Sequence, residues 1–152
     1  MTTPLYWEDF PVGQTRPYGP MTVSREAILD FARQWDPQPF HLDDAAAAAS
    51  LFGRLAASGW HTAAMTMRML CDAYLLEAAS LGSPGIDQLR WHQPVHAGDV
   101  LHGELTVLSA RASQSRPEMG LLQSRWQTWN QDRQLVLSME GWSMFRRRPS
   151  AG

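Results

Sequence analysis

Cysteine is nearly absent from this sequence, since Cys71 is the only one in 152 residues. An intramolecular disulfide is therefore excluded, and the composition fits a reducing compartment. Cys71 falls within an apolar helical pattern, which is typical of a buried, inert thiol and not of a nucleophile.

Targeting patterns and long apolar runs are also missing. The N-terminal residues MTTPLYWE contain no basic region followed by an apolar run, so no signal peptide is predicted. No window approaches the roughly 18 uninterrupted apolar residues that indicate a membrane span. These features predict a cytoplasmic protein with no membrane partner.

The sequence also has no excess of positive charge. The formal net charge is -2, whereas general nucleic-acid binding needs a basic face. A hydrophobic content of 44% with 18% charged residues is that of a globular protein. The length suits one domain with a proper core, and no repeat or linker divides it. We predict a single domain over residues 1–152, with its core at about 6–145.

The first half of the chain carries helical patterns. Ser24 can cap a helix that Pro37 ends, and Glu26 in its first turn complements the helix dipole. Its apolar residues recur at helical spacing, namely Ala27, Ile28, Phe31, Ala32 and Trp35. The pattern predicts an amphipathic helix that ends just before Asp36.

Two further helices are predicted downstream. Asp43 or Asp44 can cap a short alanine-rich helix that runs through Ser50. A longer helix is predicted over residues 59–79, broken by the Gly-Ser-Pro-Gly segment at 82–85. The broad apolar face predicted for it consists of Ala63, Ala64, Met67, Leu70, Cys71, Tyr74, Leu75 and Ala78. Such a helix must be wrapped by other elements of the fold.

The second half of the chain reads as strands. The predicted strands cover residues 86–91, 100–109, 121–130 and 135–145. Apolar and polar residues alternate most clearly within 100–109, as expected of a half-buried strand. Short connections between the strands imply antiparallel pairing. The fold class predicted is α+β, with one long helix against a strongly curved antiparallel sheet.

The segment between the first two helices holds an acid and a base on a stiff tether. Asp36 and His41 are five positions apart, with Pro37 and Pro39 between them. Each proline disfavours the α region for the residue before it, here Asp36 and Gln38. A five-residue span reaches roughly 17 Å when extended, so the pair meets only if the loop folds back. The alternative is a connecting loop in which both side chains cap neighbouring backbone.

Four segments resemble the MaoC-like hydratase group, whose best-understood members are the R-specific enoyl-CoA hydratases. The segments are DPQPFHLD at 36–43, FG at 52–53, ASGW at 57–60 and RWHQPVHAGD at 90–99. The family pattern runs roughly Gly-Asp-x-Asn-Pro-Ile-His-x-Asp, then Phe-Gly, Ala-His-Gly-Met and Arg with Pro-Val-x-x-Gly-Asp. The resemblance extends from about Tyr6 to Phe145, with the landmarks in order.

The resemblance implies a hotdog fold and hydration of a trans-2-enoyl thioester, or the reverse reaction. Asp36 and His41 would hold and activate the water and return its proton. The Gly59 N–H, at the positive end of the long helix, would bind the thioester oxygen. The substrate implied is an acyl-CoA thioester, and no metal or organic cofactor is implied.

Several residues depart from the family pattern and bear on the substrate. Trp35 replaces the glycine before the aspartate, Gln38 replaces the asparagine, and Ser58 stands where a histidine often precedes Gly59. We expect Trp35 to narrow the acyl end of the site or to pack in the core. With Trp60 beside Gly59, these residues are candidate substrate-binding positions. They predict a preference for short or specially shaped acyl groups.

Other candidates have structural alternatives. His61 either faces the site or, as we rather expect, is structural. His92, His96 and His102 do not have the spacing of metal ligands. The arginines 146–148 either meet CoA phosphates or form a solvated terminal run. Arg90 can reach either a phosphate or the carboxylate of a neighbouring subunit. Most of the seven tryptophans are expected in the core and at a dimer interface, and one or two are candidates to line the acyl pocket.

Two other functions stay open beside the hydratase. A hotdog thioesterase ordinarily has a catalytic carboxylate in or beside the long helix, where only Asp72 and Glu77 are available. A non-catalytic acyl-thioester-binding subunit is the other possibility, and the intact Asp36–His41 pair argues against it. A homodimer or higher homo-oligomer is predicted, because a single hotdog unit leaves a sheet edge uncovered.

Overall fold

One antiparallel sheet organises the computed structural model, which describes residues 2–150. Its strand order is β1-β3-β4-β5-β2. The strands are β1 (Thr15–Thr22), β2 (Ser80–Trp91), β3 (Val100–Ala112), β4 (Met119–Trp129) and β5 (Leu135–Arg146). Every pairing is antiparallel, as the short connections predicted.

Three α-helices precede most of this sheet. They are α1 (Arg25–Trp35), α2 (Asp44–Ala48) and α3 (Gly59–Leu70). Single 3₁₀ turns lie at Trp7–Asp9 and Pro39–His41, and a π-helical turn at Cys71–Leu75 continues α3. Met65, Met69 and Leu70 of α3 join the sheet residues in one core. The predicted α+β class, a central helix against an antiparallel sheet, is confirmed.

The capping predictions for the first two helices are confirmed. The Ser24 Oγ accepts a hydrogen bond from the Ala27 N–H at 3.1 Å. The Asp43 carboxylate accepts one from the Ala46 N–H at 2.8 Å. Each cap satisfies a first-turn donor that has no partner within its own helix. The second helix ends at Ala48 and is thus shorter than predicted.

The alternation predicted within β3 is confirmed. Leu101, Leu105 and Val107 are at most 2% exposed, whereas Glu104 between them is exposed. The side chains of a strand alternate between its two faces, so this pattern fixes which face of the sheet meets the helix.

The buried face predicted for α3 is wrong in part. Met67 is 49% exposed, while Thr62 and Thr66 are buried. A hydrogen-bonded chain explains how a threonine can face inward. The Thr66 hydroxyl lies 3.0 Å from that of Thr128, which lies 2.8 Å from the Tyr18 hydroxyl. Buried polar groups are tolerated when they are paired in this way.

The long helix also ends earlier than residue 79. After the π-helical turn, the backbone pairs with the N-terminal segment. The Leu5 N–H donates to the Glu77 carbonyl at 2.9 Å, and the Ala79 N–H donates to the Leu5 carbonyl at 2.8 Å. These contacts take residues 77–79 out of the helix. Cys71 lies in the π-helical turn and is only half-buried, not fully buried as expected.

Two features of the sheet differ from the predictions. Strand β1 was not predicted, because its sequence TRPYGPMT carries turn residues; as an edge strand it tolerates proline. Strand β2 begins at Ser80, so the segment at 82–85 lies within it. Register shifts absorb the extra residues there. The Ser83 hydroxyl donates to the Trp142 carbonyl at 2.7 Å and fixes this irregular stretch.

Two of the three C-terminal arginines pair with the N-terminal turn, while Arg146 and Arg148 are solvent-exposed, as expected of a solvated run. The Arg148 guanidinium lies 2.7 Å from the Asp9 carboxylate, and that of Arg147 lies 3.7 Å from Glu8. A backbone hydrogen bond from Tyr6, with the neighbouring Arg148, lowers the pKa of Asp9. Within residues 2–150, no helix combines the length and the apolar character that a membrane crossing requires.

Replacement of Gly103 by alanine is expected to destabilise the fold. A Cβ at this position would overlap the Tyr18 ring and the Gln127 carbonyl, and Tyr18 is 3% exposed. Overpacking of this kind costs about 1–3 kcal/mol. Urea unfolding at a fixed protein concentration should show that loss for Gly103→Ala.

The matched control is Gly85→Ala in β2, where an added Cβ meets nothing within 4 Å. Its free energy of unfolding should stay close to that of the wild type. Equal effects of the two substitutions would contradict the packing described at Gly103.

Candidate active site

The loop after α1 folds back, and the residues before its two prolines are non-helical, as predicted. Helix α1 ends at Trp35, and Asp36 has left the α region with ψ at 69°. Gln38 is extended, with φ -74° and ψ 143°. The turn Pro39–His41 then reverses the chain, closed by a hydrogen bond from the His41 N–H to the Gln38 carbonyl at 2.9 Å. The His41 Nε2 consequently lies 3.4 Å from the Asp36 Oδ2.

The contacts of His41 fix its tautomer. Its Nδ1 lies 2.7 Å from the carbonyl oxygen of Ala56. A carbonyl only accepts, so Nδ1 carries the proton and Nε2 presents a lone pair in the neutral ring. The ring is buried, at 4% exposure, and packs against Phe40 and Phe52 at centroid distances of 4.7 and 5.5 Å. His41 is therefore held with its basic nitrogen toward Asp36.

Two of the departures from the family pattern hold the Asp36 carboxylate. The Gln38 amide donates to Oδ1 at 2.7 Å, and the Ser58 hydroxyl donates to Oδ2 at 2.7 Å. Burial raises the pKa of Asp36, but the hydrogen bonds from Gln38 and Ser58 and the nearby His41 outweigh it. The net pKa lies below its usual value. Asp36 is thus an oriented carboxylate favoured in its ionised form.

Ser58 also caps the central helix. Its hydroxyl oxygen accepts from the Trp60 N–H at 3.3 Å while its proton goes to Asp36. The Gly59 N–H is among the first-turn donors that have no acceptor within the helix. It stands at the positive end of α3, a 12-residue helix. One serine therefore links the start of the helix to the carboxylate.

A cavity of about 240 Å³ lies against this end of α3. Its lining includes His41, Gly59, Thr62 and Trp91. The remaining lining residues are Phe52, Ala57, His92, Gln93, Pro94 and Val95. Asp36 does not line the cavity itself; it faces His41, which does. The arrangement can bind a small group beside an imidazole and a helix N-terminus.

The tryptophans at the site differ from the prediction. Trp35 is 71% exposed and lies neither in the core nor among the residues that line the cavity. Trp60 is 60% exposed and also lies outside the lining. Trp91 does line the cavity, although sequence reasoning did not single it out. The only signal was its place in the RWHQPV segment, where the family pattern names other residues.

The other histidines have separate roles. His61 is buried, stacks on Phe31 at 4.8 Å, and burial lowers its pKa. The Nε2 of His92, at the cavity, lies 2.7 Å from the Ser138 hydroxyl, and the Nδ1 of His96 lies 2.8 Å from the Leu55 carbonyl. His102 stacks on Trp129. Across residues 2–150, no three His, Cys, Asp or Glu side chains cluster as metal ligands would.

The charged candidates near the site also have other partners. The Asp44 carboxylate forms an exposed ion pair with Arg25 at 2.9 Å. Arg90 is exposed and contacts its own strand, through the Leu89 carbonyl at 3.1 Å and the Gln88 side chain at 3.4 Å. Within one chain Arg90 meets neither partner expected of it, so its role stays a prediction.

Fold and site together define a class: α+β proteins with a central helix on an antiparallel sheet and an acid–base pair at the helix start. The model of the MaoC like domain family matches residues 9–124. The chain belongs to this family. The crystal structure of a MaoC-like dehydratase from Rhodospirillum rubrum is 43% identical, with a TM-score of 0.89, over 96% of this chain and 99% of that chain.

Two more distant structures show the same fold. A double-hotdog protein of Mycobacterium tuberculosis is 22% identical, with a TM-score of 0.81, over all of this chain and 47% of that one. An R-hydratase of Pseudomonas aeruginosa is 23% identical, with a TM-score of 0.73, over 98% of this chain and 93% of that one. The predicted hotdog fold and family resemblance are confirmed.

Ser58→Ala is expected to raise the pKa of Asp36, because the carboxylate loses a hydrogen bond that favours its ionised form. The folded-state pKa lies below the ordinary value, so Asp36 stabilises the fold above that value. This stabilisation is lost as the pH falls through the folded-state pKa. In the variant, the stabilisation should be smaller, and its loss should be complete at a higher pH. NMR titration of the carboxyl carbon measures the shift.

Ser24→Ala is the matched control, because Ser24 also caps a helix but does not contact Asp36. Its removal should leave the titration of Asp36 unchanged. An Asp36 titration that is the same in Ser58→Ala as in the wild type would refute the role of the Ser58 hydroxyl.

Proposed function

We propose that this protein is a hydratase or dehydratase of acyl-CoA thioesters, which adds water to a trans-2-enoyl thioester or catalyses the reverse. The observation that carries the proposal is the Asp36–His41 pair, 3.4 Å apart, beside a cavity at the start of the central helix. Membership of the MaoC-like family supports the reaction class. The likeness to an R-hydratase supports it at the level of the fold.

A water molecule is the group that this pair suits. In the neutral tautomer of His41, the atoms that face each other are both acceptors, Nε2 of the ring and Oδ2 of Asp36. A water can donate one hydrogen to each and direct its oxygen lone pairs at a substrate. Because Gln38 and Ser58 hold the carboxylate and Ala56 holds the ring, this water site is organised before substrate binds.

The proposed reaction adds the oxygen and one proton of that single water to the substrate. The oxygen bonds to C3 of the enoyl group as one O–H bond breaks, and the proton passes to His41 or Asp36. The electrons of the C2=C3 double bond move toward C2 and the thioester oxygen. The same proton then bonds to C2, which gives the 3-hydroxyacyl thioester. One pair of side chains handles both transfers, so both new bonds form on one face of the alkene.

The negative charge that develops on the thioester oxygen needs a hydrogen-bond donor, and the Gly59 N–H is well placed to provide it. It belongs to the first turn of α3 and lines the same cavity as His41. The helix dipole favours the charge there. The proposed reaction needs no metal or organic cofactor, because a water, an acid–base pair and this donor supply its chemistry.

A thioesterase is the less favoured alternative. Its expected carboxylate would have to come from Asp72 or Glu77, both beyond the end of α3. Asp72 instead forms an ion pair with Arg68 at 3.2 Å. A non-catalytic binding subunit is disfavoured by the oriented Asp36–His41 pair.

We also infer a homodimer joined through β2, an edge strand of the sheet. Three of its apolar residues are well exposed in the single chain, namely Leu81 (40%), Ile86 (46%) and Trp91 (44%). An edge that is both unpaired and apolar is a typical site for strand addition. Trp91 also lines the cavity, so the two sites of such a dimer would lie near its interface. A cytoplasmic location stays a prediction.

Asp36→Asn and His41→Ala are each expected to reduce hydration of crotonyl-CoA by at least about 100-fold, as loss of an acid–base group does. Their effects should not add, because both side chains act on one water. The decrease in enoyl absorbance measures hydration, and simultaneous detection of free thiol distinguishes a thioesterase.

Asp44→Asn and His102→Ala make the same chemical changes away from the cavity and serve as controls, with rates expected near the wild type. The proposed assignment fails if either site variant keeps more than about a tenth of wild-type turnover. It also fails if the wild type releases thiol without hydration.

The dimer is tested by light scattering at micromolar concentration. The wild type should have the mass of two chains. Ile86→Asp should favour the monomer, because it places a charge on the proposed interface. Leu51→Asp, at a residue fully exposed outside β2, should not change the mass. A monomeric wild type would contradict the proposal.

A further inference from the structure

Trp91 covers the start of the central helix. Its indole lies so close to Gly59 that a Cβ at that position would stand 2.6–2.9 Å from three of its ring atoms. No real Cβ contact is that short, so no other residue fits at position 59 without moving the ring. The absence of a side chain at Gly59 therefore lets the indole pack against the helix start, and it would let a substrate approach there too.

The indole is fixed from two directions. Its Nε1 donates to the Gly59 carbonyl at 2.7 Å, which ties the ring to the first peptide of the helix. The Trp60 ring packs against it edge to face, with centroids 5.1 Å apart and planes at 80°. Aromatic pairs favour this geometry. A ring held in this way forms a stable wall of the cavity.

The indole stands beside the groups that the proposed function assigns to the reacting end of a thioester. His41, Gly59 and Trp91 all line one cavity of about 240 Å³. This volume is below the roughly 300–1,000 Å³ of pockets that enclose drug-sized ligands. Phe52, another aromatic residue of the lining, packs against the His41 ring and has a supporting role there.

We propose that Trp91 sets the upper limit on acyl length, which makes short-chain enoyl thioesters the substrate class. This inference rests on the proposed hydratase function and refines it. Trp91 takes the role that Trp35 and Trp60 were expected to share, because neither of those residues lines the cavity. Its indole occupies the space beside Gly59 that the further methylenes of a longer acyl chain would need.

The experiment compares kcat/KM for four-carbon and ten-carbon enoyl-CoA substrates. The wild type should prefer the four-carbon substrate by at least about tenfold, since one methylene in a confined pocket is worth 10-fold or more. Trp91→Ala should reduce this preference at least about tenfold by opening the wall. Trp91→Phe keeps an aromatic ring near Gly59 but is smaller than the indole and lacks the N–H, so it should retain more of the preference for the short substrate than Trp91→Ala does.

Trp129→Ala is the matched control, because Trp129 lies on β4, outside the cavity lining, and its removal should leave the preference unchanged. A wild type that favours the ten-carbon substrate overturns the role of Trp91 and leaves the hydratase standing. An unchanged preference in a folded Trp91→Ala variant has the same consequence. Absence of hydration at every chain length overturns the hydratase instead.

If Trp91→Ala does not fold, or if hydration is absent, calorimetry on the wild-type protein tests whether Trp91 limits acyl length. Butyryl-CoA and decanoyl-CoA are saturated and do not react. Each methylene buried in an open apolar site would tighten binding about fourfold. Decanoyl-CoA is expected to bind no more tightly than butyryl-CoA. Tighter binding of decanoyl-CoA, or no binding of butyryl-CoA, would overturn the role of Trp91.

Discussion

The reversal of the chain between Asp36 and His41 is the constraint on which the site depends. Two prolines disfavour the α conformation for the residues before them, so helix α1 stops before Asp36. The turn Pro39–His41 then brings the imidazole back toward the carboxylate. The contact of 3.4 Å between the two side chains then exists before any ligand arrives. Its cost in conformational entropy is met during folding and not during substrate binding, which is the basis of preorganised catalysis.

Ser58 connects this loop to the rest of the molecule. Its hydroxyl donates to Asp36 and accepts from the first turn of α3, so the carboxylate and the helix start share one anchor. Trp91 completes the arrangement from the sheet side, because its indole holds the Gly59 carbonyl. The proposed acid–base pair, the proposed oxyanion donor and the proposed limit on acyl length therefore depend on one helix terminus, which the loop and strand β2 approach from different sides.

Much of this arrangement could be predicted from the sequence, and the physical reasons are local. The effect of Pro37 on Asp36 acts between neighbours, as do the caps at Ser24 and Asp43. What could not be predicted depends on contacts between distant residues. Trp91 contacts Gly59, which is 32 positions away in the chain, and no local sequence pattern predicts that contact. The buried face of α3 was misread for the same reason, because the Thr66 hydroxyl finds its partner at Thr128. Strand β1 was missed because its turn residues are acceptable only at a sheet edge.

The central claim is that one water, held by Asp36 and His41, adds across the double bond from a single face. It is tested most directly by incubating the protein with crotonyl-CoA in D₂O and determining the product configuration by NMR. The account predicts 3-hydroxybutyryl-CoA of one configuration at C3, with deuterium at C2 syn to the new oxygen. A mixture at C2, anti addition, or release of free thiol in place of hydration would contradict it.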